Sequence, residues 1–176
     1  MSAANVYDKK TIFYHWVSAA LIFILWLIGQ NIDNFAKGDP RIYVRSIHLT
    51  LGVLLAIVFL MRLRWKLTNG VKLPINSGAL GKLASGTHHL LYLLLGLTLI
   101  VGLAAVWIRG DNIFNIFQVP PFDPSNKPLR KDVVELHELM ANSLLILACV
   151  HAFIALIHHK VFKDDVLKRM LPNFKD

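Results

Sequence analysis

Four stretches of this chain are almost free of charge, and each is about long enough to cross a bilayer: residues 11–32, 45–65, 83–108 and 132–159. A hydrocarbon core ~30 Å thick calls for ~20 apolar residues of helix. Within it a backbone satisfies its own hydrogen bonds only as a helix or a closed barrel. The first and third stretches contain no charged residue, the second has basic residues only at its ends, and the fourth is uncharged from residue 139 onward. We therefore expect an all-α integral membrane four-helix bundle, a single domain over residues 1–176. The first run is expected to be a span rather than a cleaved leader, being too long and lacking a small-residue cleavage site.

The charges fall between these stretches, although they make up only 17% of the chain against 55% hydrophobic residues. Four spans put both termini on one side. If that side is the cytoplasm, twelve Lys and Arg lie inside and seven outside, and the inner segment 62–82 has no acid at all. The positive-inside rule then gives cytoplasmic termini. The same rule accounts for the net charge of +8 without nucleic acid. Trp16, Trp26, Trp65 and Trp107 lie mostly towards span ends, where interfacial anchors belong. The proline-rich outer segment 109–131 reads as an ordered, non-helical cap. The lone Cys149 reads as a small buried core residue.

Eight histidines carry the chemistry, because ionisable groups inside a bilayer are costly and usually functional. His137 and His151 are 14 residues apart on the fourth span. That spacing returns to within ~40° of the same helix face, ~21 Å further along. With the spans alternating in direction, His48 and His137 fall at the outer level and His15 and His151 at the inner level. Each pair bridges two helices and could hold one metalloporphyrin by both axial positions, in the usual place for a bundle cofactor. Gly52, one turn after His48, and Gly29, 14 residues after His15, would let a flat macrocycle approach the backbone. Helix packing alone would also explain those glycines. Zinc would need further Cys, Asp or Glu ligands, which the inner level lacks, and a proton relay would want carboxylates inside the spans. His88 and His158 at the inner surface are candidates for a propionate or a quinone headgroup, whereas His89 and His159 read as interfacial.

The residues YHW at 14–16, IH at 47–48, LHELMAN at 136–142, His151, HH at 158–159 and KDDVLKRMLP at 163–172 resemble the bacterial cytochrome b561 family. The resemblance spans essentially the whole chain. It implies two haems b per chain, ligated by histidines of helices 1, 2 and 4, which here are His15, His48, His137 and His151. It also implies electron transfer across the membrane, and the family includes superoxide oxidases. The expected route runs from superoxide, or another periplasmic donor, at the outer haem to ubiquinone near the inner surface. Arg41, Arg45, Arg109, Lys127, Arg130 and Lys131 could attract an anion outside. Seven acids in the same segments make local clustering the deciding factor. The alternatives are an electron conduit for a protein redox partner and a haem-free membrane transporter.

Overall fold

A computed structural model describes residues 6–71, 73 and 78–171. Four long helices dominate: α1 (Lys9–Asn31), α2 (Asp39–Thr68), α3 (Ala79–Arg109) and α4 (Lys127–Ile157). Each contains a window long and apolar enough to span a membrane. Their bounds overrun the apolar stretches, because polar turns continue the helices beyond the hydrocarbon. α2 therefore starts at Asp39 with Pro40 in its first turn, and α4 starts at Lys127 with Pro128 in its first turn. Pro is suited there, since the amide it lacks would have no partner in the helix. Below, the end carrying the termini is termed inner and the opposite end outer.

Lipid is the solvent, so the helices are apolar all round and bury little. Leu21, Leu25, Leu55, Leu95 and Leu144 form the small buried core. Phe13, Phe23, Leu60, Ile100, Leu139 and Phe153 are among many large apolar side chains left facing outward. Cys149, expected in the core, is instead exposed, on the face of α4 turned to lipid. An apolar run in a membrane helix does not say which residue faces inward, so hydrophobicity alone was a poor guide there.

α1 packs chiefly on α2 and α3 chiefly on α4, while α1 with α4 and α2 with α3 touch far less. Two antiparallel helix pairs thus face each other across a looser seam. At the inner end Asp8 caps α1 by accepting from the Thr11 amide and hydroxyl. Asp8 also takes the Trp65 indole N–H at 2.9 Å, tying α1 to the end of α2. Burial raises the Asp8 pKa, but the hydrogen bonds from Thr11, Val71 and Trp65 outweigh it and lower it to about 2. The C-terminal segment folds back onto α1: the Trp16 indole donates to the Met170 carbonyl and the Tyr7 amide to the Arg169 carbonyl.

At the outer end the segment expected to be a non-helical cap holds a small antiparallel hairpin, β1 (Asn112–Ile113) and β2 (Phe117–Gln118). Its turn residues Phe114 and Asn115 both have positive φ, the backbone of a tight hairpin turn. Buried Ser46 of α2 accepts from the Phe114 amide, and Asn115 donates to Asp39, so the hairpin lies along the first turns of α2. Gly110 ends α3 in the left-handed region, and a Cβ there would meet Pro121 at 2.7 Å.

Candidate haem site

The seam between the helix pairs collects the histidines. At the outer level, His48 of α2 and His137 of α4 face each other with ring centroids 6.3 Å apart. At the inner level, His15 of α1 and His151 of α4 are 6.4 Å apart. Two axial imidazoles, each bonded to a metal at ~2 Å with roughly 1 Å more to the ring centre, leave centroids about 6 Å apart. Both gaps are therefore of the width that a bis-histidine metalloporphyrin requires.

The outer pair sits in a cleft lined by all four helices, including Leu25, Gly29, Gly52, Thr98, Gly102 and Ala141. Gly52 has nothing within 4 Å of where a Cβ would stand, which leaves room beside His48 for a flat ring. Gly29 is used differently from the macrocycle cradle expected of it. Its missing Cβ would lie 3.3 Å from His48 Cε1, so it makes room for the imidazole itself. Gly102 of α3, not singled out in the sequence, stands in the same relation to His137, with Cε1 only 2.8 Å from a built Cβ. His137 Nδ1 lies 3.1 Å from the Thr98 carbonyl. A carbonyl only accepts, so Nδ1 carries the proton and Nε2 keeps its lone pair, as metal ligation requires.

The inner pair has the spacing but a different state. Arg62 Nη2 is 3.1 Å from His15 Nδ1. A guanidinium only donates, so here Nδ1 accepts and Nε2 holds the proton. Ligation through Nε2 requires Arg62 to turn away. Its present rest over the Tyr92 ring, 5.0 Å from the centroid, shows the reach of that side chain. His88 of α3 joins this level edge-on to His151 at 5.3 Å, a packed neighbour rather than a residue facing it across a gap.

The other histidines end up apart from the seam. His158 opens a π-helical turn (His158–Phe162) and its Nδ1 is 2.6 Å from Asp164 Oδ2. That hydrogen bond holds the Asp164 carboxyl below the usual carboxylate range. Lys163, at a φ of 53°, reverses the chain to bring Asp164 back. His89 Nδ1 lies 2.7 Å from the Ser85 carbonyl of its own helix. His159 Nδ1 is buried without a hydrogen-bond partner among the described residues.

At the outer mouth of the cleft two arginines converge on one buried carboxylate. Asp111 is 4% exposed, receives two hydrogen bonds from Arg109, and lies 3.6 Å from Arg45. Two guanidiniums share one acid there, and Asp33 and Glu138 also line the cleft. Arg41 is engaged elsewhere, with Asp33 and the carbonyls of Asp33 and Phe35. Arg130 bonds the Pro124 carbonyl, and Lys131 pairs with Glu135.

The model of the family described as prokaryotic cytochrome b561 matches residues 6–173. A probable superoxide oxidase CybB of Yersinia pestis is 28% identical over 170 residues, covering 94% of this chain and 96% of that protein. Cytochrome b561 homolog 2 of Escherichia coli is 30% identical over 163 residues, with 90% and 87% covered. Cytochrome b562 of Cereibacter sphaeroides is 29% identical over 171 residues, with 94% of each covered. Four membrane-spanning helices, histidine pairs spaced for a haem between them, and a match over nearly the whole length lead to one conclusion: the chain belongs to the prokaryotic cytochrome b561 family, multi-pass bacterial membrane proteins that bind haem b and transfer electrons.

Proposed function

We propose that this chain is a di-haem cytochrome of the bacterial inner membrane, with cytoplasmic termini, that passes electrons from superoxide at the periplasmic face to ubiquinone near the cytoplasmic face. The observation that carries the reading is the pair of matched histidine gaps, 6.3 and 6.4 Å, at two depths of one seam. His48 and His137 would hold the outer haem and His15 and His151 the inner one. Haem held by these histidines would supply one-electron transfer at its edge. The protein's own groups decide what reaches that edge. Arg45 and Arg109 line the outer cleft with about a quarter of each side chain exposed, and these two guanidiniums are the groups that would meet a small anion there. Superoxide gives up one electron and leaves as dioxygen; two such electrons with two protons reduce one quinone to quinol. At the inner end an imidazole pinned by a carboxylate, His158 with Asp164, is suited to bond a quinone oxygen and hand on a proton. The name of the Yersinia pestis relative supports superoxide as the donor. Purified protein in liposomes with a water-soluble quinone, given pulses of superoxide, should form quinol at a rate that saturates with protein. Quinol formation no faster than in the protein-free control contradicts the proposal.

A second reading, an electron conduit for a protein donor, is favoured by the hairpin, where Ile116 is 88% exposed and Phe117 is 59% exposed. Superoxide-driven turnover by the purified chain alone separates the two.

A further inference from the structure

The two outer histidines are met by the same backbone arrangement on two different helices. On α3 the Thr98 carbonyl faces His137 Nδ1 at 3.1 Å, and Gly102, four residues on, lies against the same ring. On α1 the Leu25 carbonyl lies beside the His48 ring, and Gly29, again four residues on, lies against it. In a helix the carbonyl of residue i points towards residue i+4, whose side chain helps to cover it. A glycine at i+4 removes that cover, so an imidazole from a neighbouring helix can reach a carbonyl that already serves the helix. A carbonyl oxygen has two lone pairs and can accept both bonds. The two seats differ in closeness. His48 Nδ1 makes no well-formed hydrogen bond among the described residues, whereas His137 does. A Cβ at Gly102 would strike the ring at 2.8 Å, and at Gly29 it would press at 3.3 Å.

We propose that Leu25/Gly29 and Thr98/Gly102 are a loose and a tight copy of one seat, in which a glycine on the neighbouring helix makes room for the facing histidine ring beside a backbone carbonyl; the Thr98 carbonyl takes the His137 Nδ1–H, and the ring is held with Nε2 towards the seam. This rests on the reading that His48 and His137 hold the outer haem. The glycines are positioning residues: they touch the histidine ring, not the metal. The device also explains why the helices that donate no outer ligand, α1 and α3, still shape the outer site. Neither carbonyl can be removed by mutation, but each glycine can be filled. Alanine is the better helix former, so any loss at these positions runs against local propensity.

The test compares Gly102→Ala, Gly29→Ala and, as a control two turns away on α3, Gly96→Ala, whose Cβ would meet Phe59 only at an ordinary 3.5 Å. Haem per chain and the low-spin EPR signals are measured on purified protein, the outer signal being the one that His48→Ala removes. Gly102→Ala should lose the outer haem or shift its signal and leave the inner one in place. Gly29→Ala should keep both haems and shift the outer signal less, and Gly96→Ala should match wild type. A general packing defect would move both signals together and so overturn the seat, as would unshifted signals in both Gly102→Ala and Gly29→Ala. If Gly102→Ala does not assemble, Gly29→Ala carries the test alone. If His137→Ala leaves the outer signal intact, the ligand reading itself fails; if it removes the signal while both glycine variants are silent, only the seats fail.

Discussion

Asp111→Asn removes the one negative charge that two arginines share at the outer end. The Asp111 side chain is 3% exposed, against 29% for Arg109 and 25% for Arg45. Removing one partner of a buried ion pair costs ~3–5 kcal/mol, because the other charge is left uncompensated. Here the arginines keep about a quarter of their surface in contact with the surroundings and recover part of their solvation, which brings the cost to roughly 2–3 kcal/mol. At ~2–4 °C per kcal/mol for a chain of this size, Tm should fall by about 5–10 °C. The matched control is Asp33→Asn, whose side chain is 83% exposed and pairs with Arg41 at 3.1 Å. An exposed pair contributes ~0–1 kcal/mol, so Tm should move by no more than about 4 °C. Thermal unfolding of the two variants in detergent, followed by size-exclusion chromatography, reads the difference. Equal shifts in the two variants, or none in Asp111→Asn, would refute the reasoning from burial.

His158→Ala should retain haem and slow reoxidation of the reduced protein by added quinone several-fold, and His88→Ala should do so more weakly. Stopped-flow reoxidation with midpoint potentials measured alongside checks this, and unchanged rates at unchanged potential exclude the site. A C-terminal alkaline phosphatase fusion should be inactive and a green fluorescent protein fusion bright, because the termini lie on the side rich in Lys and Arg. The depressed Asp8 carboxyl contributes stability that is present above its ordinary value of 3.8 and is lost as pH falls towards its folded value of about 2. The Tm gap between wild type and Asp8→Asn should therefore be constant above about pH 5 and shrink as pH falls from about 4 to 2; a gap independent of pH would contradict it.

The four helices were legible because lipid imposes a length and forbids charge, and both constraints are written along the chain. The relation between His137 and His151 was legible because it lies within one helix, where spacing translates into face and depth. The approach of His48 to His137 and of His15 to His151 followed once the helices were given alternating directions. What lay across helix contacts was harder to read. Gly29 has the phase expected of it, yet it packs against the His48 ring, because α1 lies closest to α2. Gly102 and Thr98 carry a signal, a helix carbonyl followed four residues later by glycine, but it gains meaning only when His137 is known to face them. Arg62 reaches His15 through a side chain long enough to span the α1–α2 interface, which no spacing rule anticipates. His158 finds Asp164 only because the helix changes to a π turn and Lys163 adopts a positive φ. The outer hairpin carries no hairpin signal in the sequence, because its turn is Phe114–Asn115 rather than a glycine pair. The exposure of Cys149 is not legible because, in a helix apolar all round, composition does not distinguish the seam from lipid.

The central claim is that two haems lie between His48 and His137 and between His15 and His151. Haem content per chain, with low-spin EPR, of wild type and the four single alanine variants tests it most directly. Wild type should hold two haems, and each variant should lose or convert one. His48→Ala and His137→Ala should affect one signal, and His15→Ala and His151→Ala the other, with His89→Ala and His159→Ala unchanged. Two unaltered low-spin haems in all four alanine variants would contradict it.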